Sequence, residues 1–107
     1  MRIYRDESIA IGPGKISLLE AIAETGSISA AARSLDMSYR RAWALVEEVN
    51  AALAHPAVLK APGGAHGGGA QLTPVGEKLI KHYRSVESSA RLAAATDIAA
   101  LTRLLAQ

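Results

Sequence analysis

The residues best equipped for chemistry crowd into one short run, Ser38-Tyr39-Arg40-Arg41-Ala42-Trp43. Two guanidinium groups, two hydroxyls and two aromatic rings within six positions suit recognition of a polyanion that also presents flat rings. An arginine can pair its two parallel N–H donors with O6 and N7 of guanine or with a phosphate. Arg33 upstream and Lys60 downstream add cations to the same neighbourhood. A second run, PGGAHGGGAQLTP from Pro62 to Pro74, holds five glycines and one histidine. Its bare backbone can approach another molecule closely and offers free N–H groups. Gly64, His66, Gly67, Gly68 and Gln71 are its candidate contacts, with an ordinary flexible connection as the alternative.

Other chemistries find little support. A phosphate-cradling P-loop needs G-x-x-x-x-G-K-[ST], and no lysine follows any of these glycines. His66 would need partners to bind a metal, and His55 and His82 fall on separate elements. Glu47 and Glu48 are adjacent on a helix, point in different directions and make a poor acid–base pair. Ser27, Ser29 and Ser38 stand where helix caps explain them. The chain has no cysteine, which removes disulfides, thiolate zinc sites and cysteine nucleophiles together. The expectation is a protein that is not an enzyme and needs no cofactor or metal.

These residues must be positioned by a small domain. The chain has 107 residues, half of them hydrophobic, and only Trp43 and three tyrosines are aromatic, so its core is built from Ala, Leu, Ile and Val. That composition favours helices. Twelve basic against ten acidic residues leave a net charge of +2, too small an excess to argue for nucleic acid by itself. Asp6 and Glu7 interrupt the place where a signal peptide would be apolar, and Asp97 and Arg103 break the alanine-rich tail. The expected location is therefore cytoplasmic, with no membrane segment and association with the nucleoid when on DNA.

Periodicity supplies the elements. Arg2 to Ile11 reads as a short strand or extended arm ended by Gly12-Pro13-Gly14. Ile16, Leu19, Ile22 and Ala23 recur at helical spacing between Lys15 and Thr25, with Gly26 as the C-terminal cap. A two-turn helix follows, started by Ser27 or Ser29 and closed at Leu35; Asp36-Met37 is a tight turn. Ser38 caps a third helix whose Ala42, Leu45, Val46, Val49 and Leu53 face inward, while Tyr39, Arg40, Trp43 and Glu47 face away. Trp43 either serves this outer face or folds back into the core or a dimer contact. Two strand-like pieces, AVLKA and AQLT, flank the glycine run and make it a hairpin tip. Pro74 to about Ala95 forms a long helix with Val75, Leu79, Tyr83, Val86 and Ala90 in one stripe, and Glu77–Lys81 and Glu87–Arg91 as surface pairs. A last helix capped by Thr96 or Asp97 carries Ile98, Leu101, Leu104 and Leu105.

Helix, short helix, tight turn, helix, hairpin is the order of a winged helix-turn-helix. The fold class expected is mainly α with a small β-hairpin, followed by a long C-terminal helical segment. Residues 1–75 would form the DNA-binding domain with its arm, and residues 76–107 a dimerisation segment. In this motif the N-terminus of the third helix enters the major groove, which places Ser38, Tyr39, Arg40 and Arg41 at base edges and phosphates.

GSISAAARSLDMSYRRAW and GGAHGGGAQLTPVGEKLI also resemble the N-terminal DNA-binding domain of the molybdate-responsive ModE family, related to the helix-turn-helix of LysR-type regulators. The resemblance runs from about Lys15 to Tyr83. It implies a dimeric transcription regulator of double-stranded DNA, with Ser38, Tyr39, Arg40 and Trp43 on the DNA-facing helix and the glycine run as wing. ModE relatives commonly continue into molybdate-binding domains, which these residues do not contain, so oxyanion sensing is not carried over and no effector is assigned. Two other readings compete: a winged helix that binds protein through Tyr39 and Trp43, and a DNA-binding subunit served by a separate sensor chain. The expected homodimer joins through the C-terminal helices, with the Arg2–Ile11 arm contributing.

Overall fold

The computed structural model describes residues 1–5, 8–61 and 69–106. After an N-terminal pair of strands, β1 (Ile3–Arg5) and β2 (Ser8–Ile11), come α1 (Pro13–Thr25), α2 (Ile28–Ser34), α3 (Tyr39–Ala52), β3 (Val58–Lys60), β4 (Ala70–Leu72), α4 (Pro74–Ala93) and α5 (Ala95–Leu104). The fold is mainly helical with small two-stranded antiparallel sheets.

Local chemistry sets the helix boundaries. Pro13, with φ already helical and no N–H to leave unbonded, opens α1 two residues before Lys15. Gly26 closes it in the left-handed region, φ 73°, and donates its N–H to the Ile22 carbonyl at 2.8 Å. The Ser27 hydroxyl oxygen accepts the Ala30 N–H at 2.9 Å, so Ser27 and not Ser29 caps α2. Asp36 then turns the chain with a φ of 55°. The Ser38 oxygen accepts the Arg41 N–H at 3.1 Å and starts α3.

The three helices meet over an all-apolar interior. Ile16, Leu19 and Ile22 of α1, Ile28, Ala31 and Ala32 of α2, and Ala42, Val46 and Val49 of α3 are buried together with Val58, Ala70 and Tyr83. Alanines at 31, 32 and 42 let the helices approach closely. Leu35, Met37 and Leu45 seal the edges, half-buried.

The hairpin β3–β4 pairs Val58 with Leu72, Leu59 with Gln71 and Lys60 with Ala70. Its root is fixed from three sides. Asn50 at the end of α3 accepts the Ala57 and Val58 N–H groups, at 2.8 and 3.2 Å, and donates to the Val58 carbonyl at 3.1 Å. The Gly26 carbonyl accepts the Ala70 N–H at 2.9 Å, and Ser27 bridges to Gly69. The Thr73 hydroxyl oxygen caps α4 at Gly76 N–H, and the hydroxyl donates to the Pro56 carbonyl at 2.7 Å. Gly76 packs directly on this corner: a Cβ there would stand 2.4 Å from the Ala57 carbonyl oxygen.

Several expectations are corrected. The Arg2–Ile11 arm is a hairpin of two strands and not one run, with Tyr4 opposite Ile9 and a register shift between Ile3 and Tyr4. Asp6 and Glu7, the polar pair between the strands, lie outside the described residues. Arg5 docks this hairpin by donating to the Ala51 and Ala52 carbonyls at the end of α3. Helix α5 begins at Ala95 without a side-chain cap, because the chain barely leaves its helical path: the Ala94 N–H still reaches the Ala90 carbonyl and the Ile98 N–H reaches Ala94. Leu105 ends the helix instead of belonging to it. Tyr83 is buried in the core and not on an open stripe, its hydroxyl donating to the Met1 carbonyl. Glu87 pairs with Arg84, not Arg91: Arg84 bonds Glu87 at 2.7 Å and reaches across to Glu20 of α1 with two bonds of 3.1 and 2.6 Å.

Candidate nucleic-acid interface

Helix α3 presents a polar and aromatic surface because its apolar residues are spent on the core. Tyr39, Arg40, Arg41, Trp43 and Ala44 are exposed on it. Tyr39 and Trp43, one turn apart, stay 50% and 43% accessible, and with Arg40 they line one shallow depression. Trp43 does not fold back into the core. The Ser38 cap satisfies an N–H of the first turn with an oxygen lone pair and leaves the hydroxyl hydrogen available as a donor.

The electrostatics of this helix are set by its neighbours. Glu48 pairs with Lys15 of α1 at 3.3 Å, and Glu47 pairs with Lys60 of β3. Both carboxylates are thereby neutralised. Arg40 and Arg41 have no ion-pair partner among the described residues, so the first turn of α3 carries two available guanidinium groups. The partial positive charge of the helix N-terminus adds to them.

Around this turn stand the other candidates. Arg33 is exposed on the last turn of α2, its guanidinium donating to the Ser29 hydroxyl oxygen at 3.3 Å. Ser29, Arg33, Ser27 and Gly69 border one depression between α2 and the hairpin root. Gln71 is exposed on β4. Gly64, His66, Gly67 and Gly68 lie outside the described residues. Lys60 is at the right edge of the interface, but its ammonium is engaged by Glu47 and stands 4.3 Å from the centre of the Trp43 ring. Sequence periodicity placed Glu47 on the outer face without supplying its partner, which is 13 residues away in the chain.

The groups with shifted titration belong to the α1–α4 seam. Glu20 is held below the usual carboxyl range, first by its hydrogen bond from Arg84, against the opposing effect of burial. Arg84 is pushed up by its bonds to Glu20 and then Glu87. Burial, followed by the Glu87 charge, raises the Tyr83 hydroxyl. None of these groups touches the α3 surface. Among the described residues, no group of three or more acidic or histidine side chains could hold a metal ion, and no helix is long and apolar enough to cross a membrane.

Residues 14–77, which span α1 to the start of α4, match the family of bacterial regulatory helix-turn-helix proteins, lysR family. The chain belongs to this family. It is 54% identical over 78 residues to the molybdenum-pterin-binding protein MopB of Rhodobacter capsulatus, covering 73% of this chain and 29% of that protein. It is 46% identical over 71 residues to the DNA-binding transcriptional dual regulator ModE of Escherichia coli, covering 66% of this chain and 27% of that protein. The chain thus spans less than a third of the length of these relatives. Among solved structures, the CbnR DBD–DNA complex superimposes with a TM-score of 0.64 at 22% identity, over 85% of this chain and 99% of that one. At that identity the likeness speaks for the fold, a LysR-type winged helix.

Proposed function

We propose that the chain is a sequence-specific regulator of transcription that binds double-stranded DNA through α3 in the major groove, with the β3–β4 hairpin as a wing along the backbone. The observation that carries this reading is the pair Arg40 and Arg41 at the exposed first turn of α3, without an ion-pair partner among the described residues, while both acids of that helix face lysines of other elements. Ser38 and Tyr39 join them at the groove; Ser27, Ser29 and Arg33 face the adjoining backbone, with Gln71 and the glycine run Gly64–Gly68 on the wing side. The family of the chain and the DNA-binding relative ModE support the same reading. It assigns no catalytic step to any residue.

The test is binding of a mixed-sequence duplex at two salt concentrations. Each phosphate neutralised steepens the fall of log affinity with log salt by about 0.9. A clear negative slope is expected, and no binding at low salt would refute the reading. Arg40→Ala should cost about 1–3 kcal/mol on a selected site and relax preference at one base pair.

The uncovered helix α5 and the exposed end of α4 support a homodimer formed through the later part of residues 76–107, whose first turns pack on the winged domain. Two reading helices one DNA turn apart, about 34 Å, would then demand a pseudo-palindromic site. Sedimentation of the intact chain at micromolar concentration should give a dimer, and a monomer there would overturn this part of the proposal.

A further inference from the structure

Trp43 is the single tryptophan of a chain without phenylalanine, and it stands open on the surface just described. An indole left 43% exposed beside two arginines is costly to hydrate, and it lies outside the buried core. It is also held in place. The Lys60 ammonium, on the wing strand β3, lies over the ring at 4.3 Å, and the same ammonium is tied to Glu47, one turn beyond Trp43 on α3. A ring that swung away would lose the cation over its face, while the ion pair with Glu47 favours Lys60 where it stands. The indole is thus pre-oriented, and the ion pair that engages Lys60 serves a neighbouring ring.

The most prominent apolar group on the base edges of the major groove is the C5-methyl group of thymine. That methyl is the natural counterpart of an apolar ring edge fixed at the groove surface. Resting on the DNA-binding reading above, we propose that Trp43 is a specificity-determining residue that reads a thymine methyl, with Lys60 and Glu47 as its positioning residues. Arg40 lies three residues before it, a separation of about 5–6 Å on a helix surface. One base step rises about 3.4 Å. The thymine should therefore fall one or two base pairs from the guanine that Arg40 contacts.

The experiment deletes only the methyl group. Sites are selected from a randomised duplex library with the intact chain, and each thymine of the selected site is then replaced singly by deoxyuridine. One thymine per half-site is expected to lose about fourfold in affinity on this change, the value of one buried methylene-sized group, while the others change little. In Trp43→Ala the thymine-to-deoxyuridine ratio at that position should fall to one, with the salt slope and the preference for the Arg40 guanine retained. Lys60→Met keeps an apolar stem over the ring but removes the cation. It should lower the same ratio with no loss of helical circular dichroism. If deoxyuridine is tolerated at every position, or no thymine is selected near the guanine, the thymine reading is wrong and the DNA-binding reading stands. If the intact chain binds no duplex at all, the underlying reading fails instead.

Discussion

Helices α1 and α5 are of similar size, yet they stand at opposite extremes. In α1, Ile16, Leu18, Leu19 and Ile22 are almost fully buried. In α5 no residue is buried, and Leu104 is 81% exposed. Leu92 near the end of α4 is 76% exposed as well, whereas Tyr83 two and a half turns earlier is in the core. Helix α4 therefore changes character along its length: its first half completes the winged domain and its second half leaves it. The extents of the molecule, 52 × 33 × 24 Å with a radius of gyration of 16.1 Å, reflect that departure; a compact chain of about 100 residues would have a radius near 13 Å. One part of the chain carries the buried core, and the other buries no side chain in α5.

The strongest test of this division is Ile22→Ala. Removing a fully buried side chain at the centre of the three helices should cost about 2–5 kcal/mol, read as a lowered urea midpoint. Next comes Gly76→Ala, whose new Cβ meets the Ala57 carbonyl and must push α4 off the wing root. A loss of about 1–3 kcal/mol is expected, and a neutral result would mean that α4 is not tightly docked. Ser38→Ala, which removes the cap of α3, should cost about 1 kcal/mol and weaken DNA binding through the first turn.

The Glu20–Arg84 contact at the seam offers a smaller and pH-dependent effect. Because Glu20 is held below its ordinary range in the folded chain, its contribution is complete above that range and is lost as pH falls through the depressed value. Both side chains are about two-fifths exposed, so the contribution should stay under about 1 kcal/mol. An Arg84→Met chain should show a flatter stability profile at acid pH. The smallest effect on the winged domain is expected from Leu101→Ala, within about 0.5 kcal/mol by urea at concentrations where the chain is monomeric. The same change should weaken self-association in sedimentation. Unfolding of the winged domain by Leu101→Ala would erase the distinction between the two regions.

What the sequence disclosed follows the range of the interactions. Gly26 and Ser38 act on the backbone within a few residues, and their roles were legible as spacing and residue type. So were the inward face of α3 and the hairpin around the glycine run. Asn50, Gly76 and the Arg84–Glu20 contact act across the chain, and nothing in the local pattern marks them: Asn50 looks like any polar helix residue until Val58 is placed beside it. The N-terminal pair of strands was hidden because strands of three and four residues give too little alternation to separate one run from two. For the candidate site, the outward exposure of Tyr39, Arg40 and Trp43 on α3 was legible and the ion pairs around them were not, since Lys15 and Lys60 reach α3 from other elements.

The bond from the Ala70 N–H to the Gly26 carbonyl has a bearing on how the chain folds. A hairpin with three-residue strands is marginal alone, and this contact closes a loop of more than forty residues. Such closures contribute only after the intervening segments are in place. The order of events should then be fixed: α1 to α3 collapse first, Asn50 captures Val58, and the wing root zips onto Gly26 last. A refolding chain would regain its helical signal before it regains the duplex binding proposed for it, and the interval between the two would time the arrival of the wing.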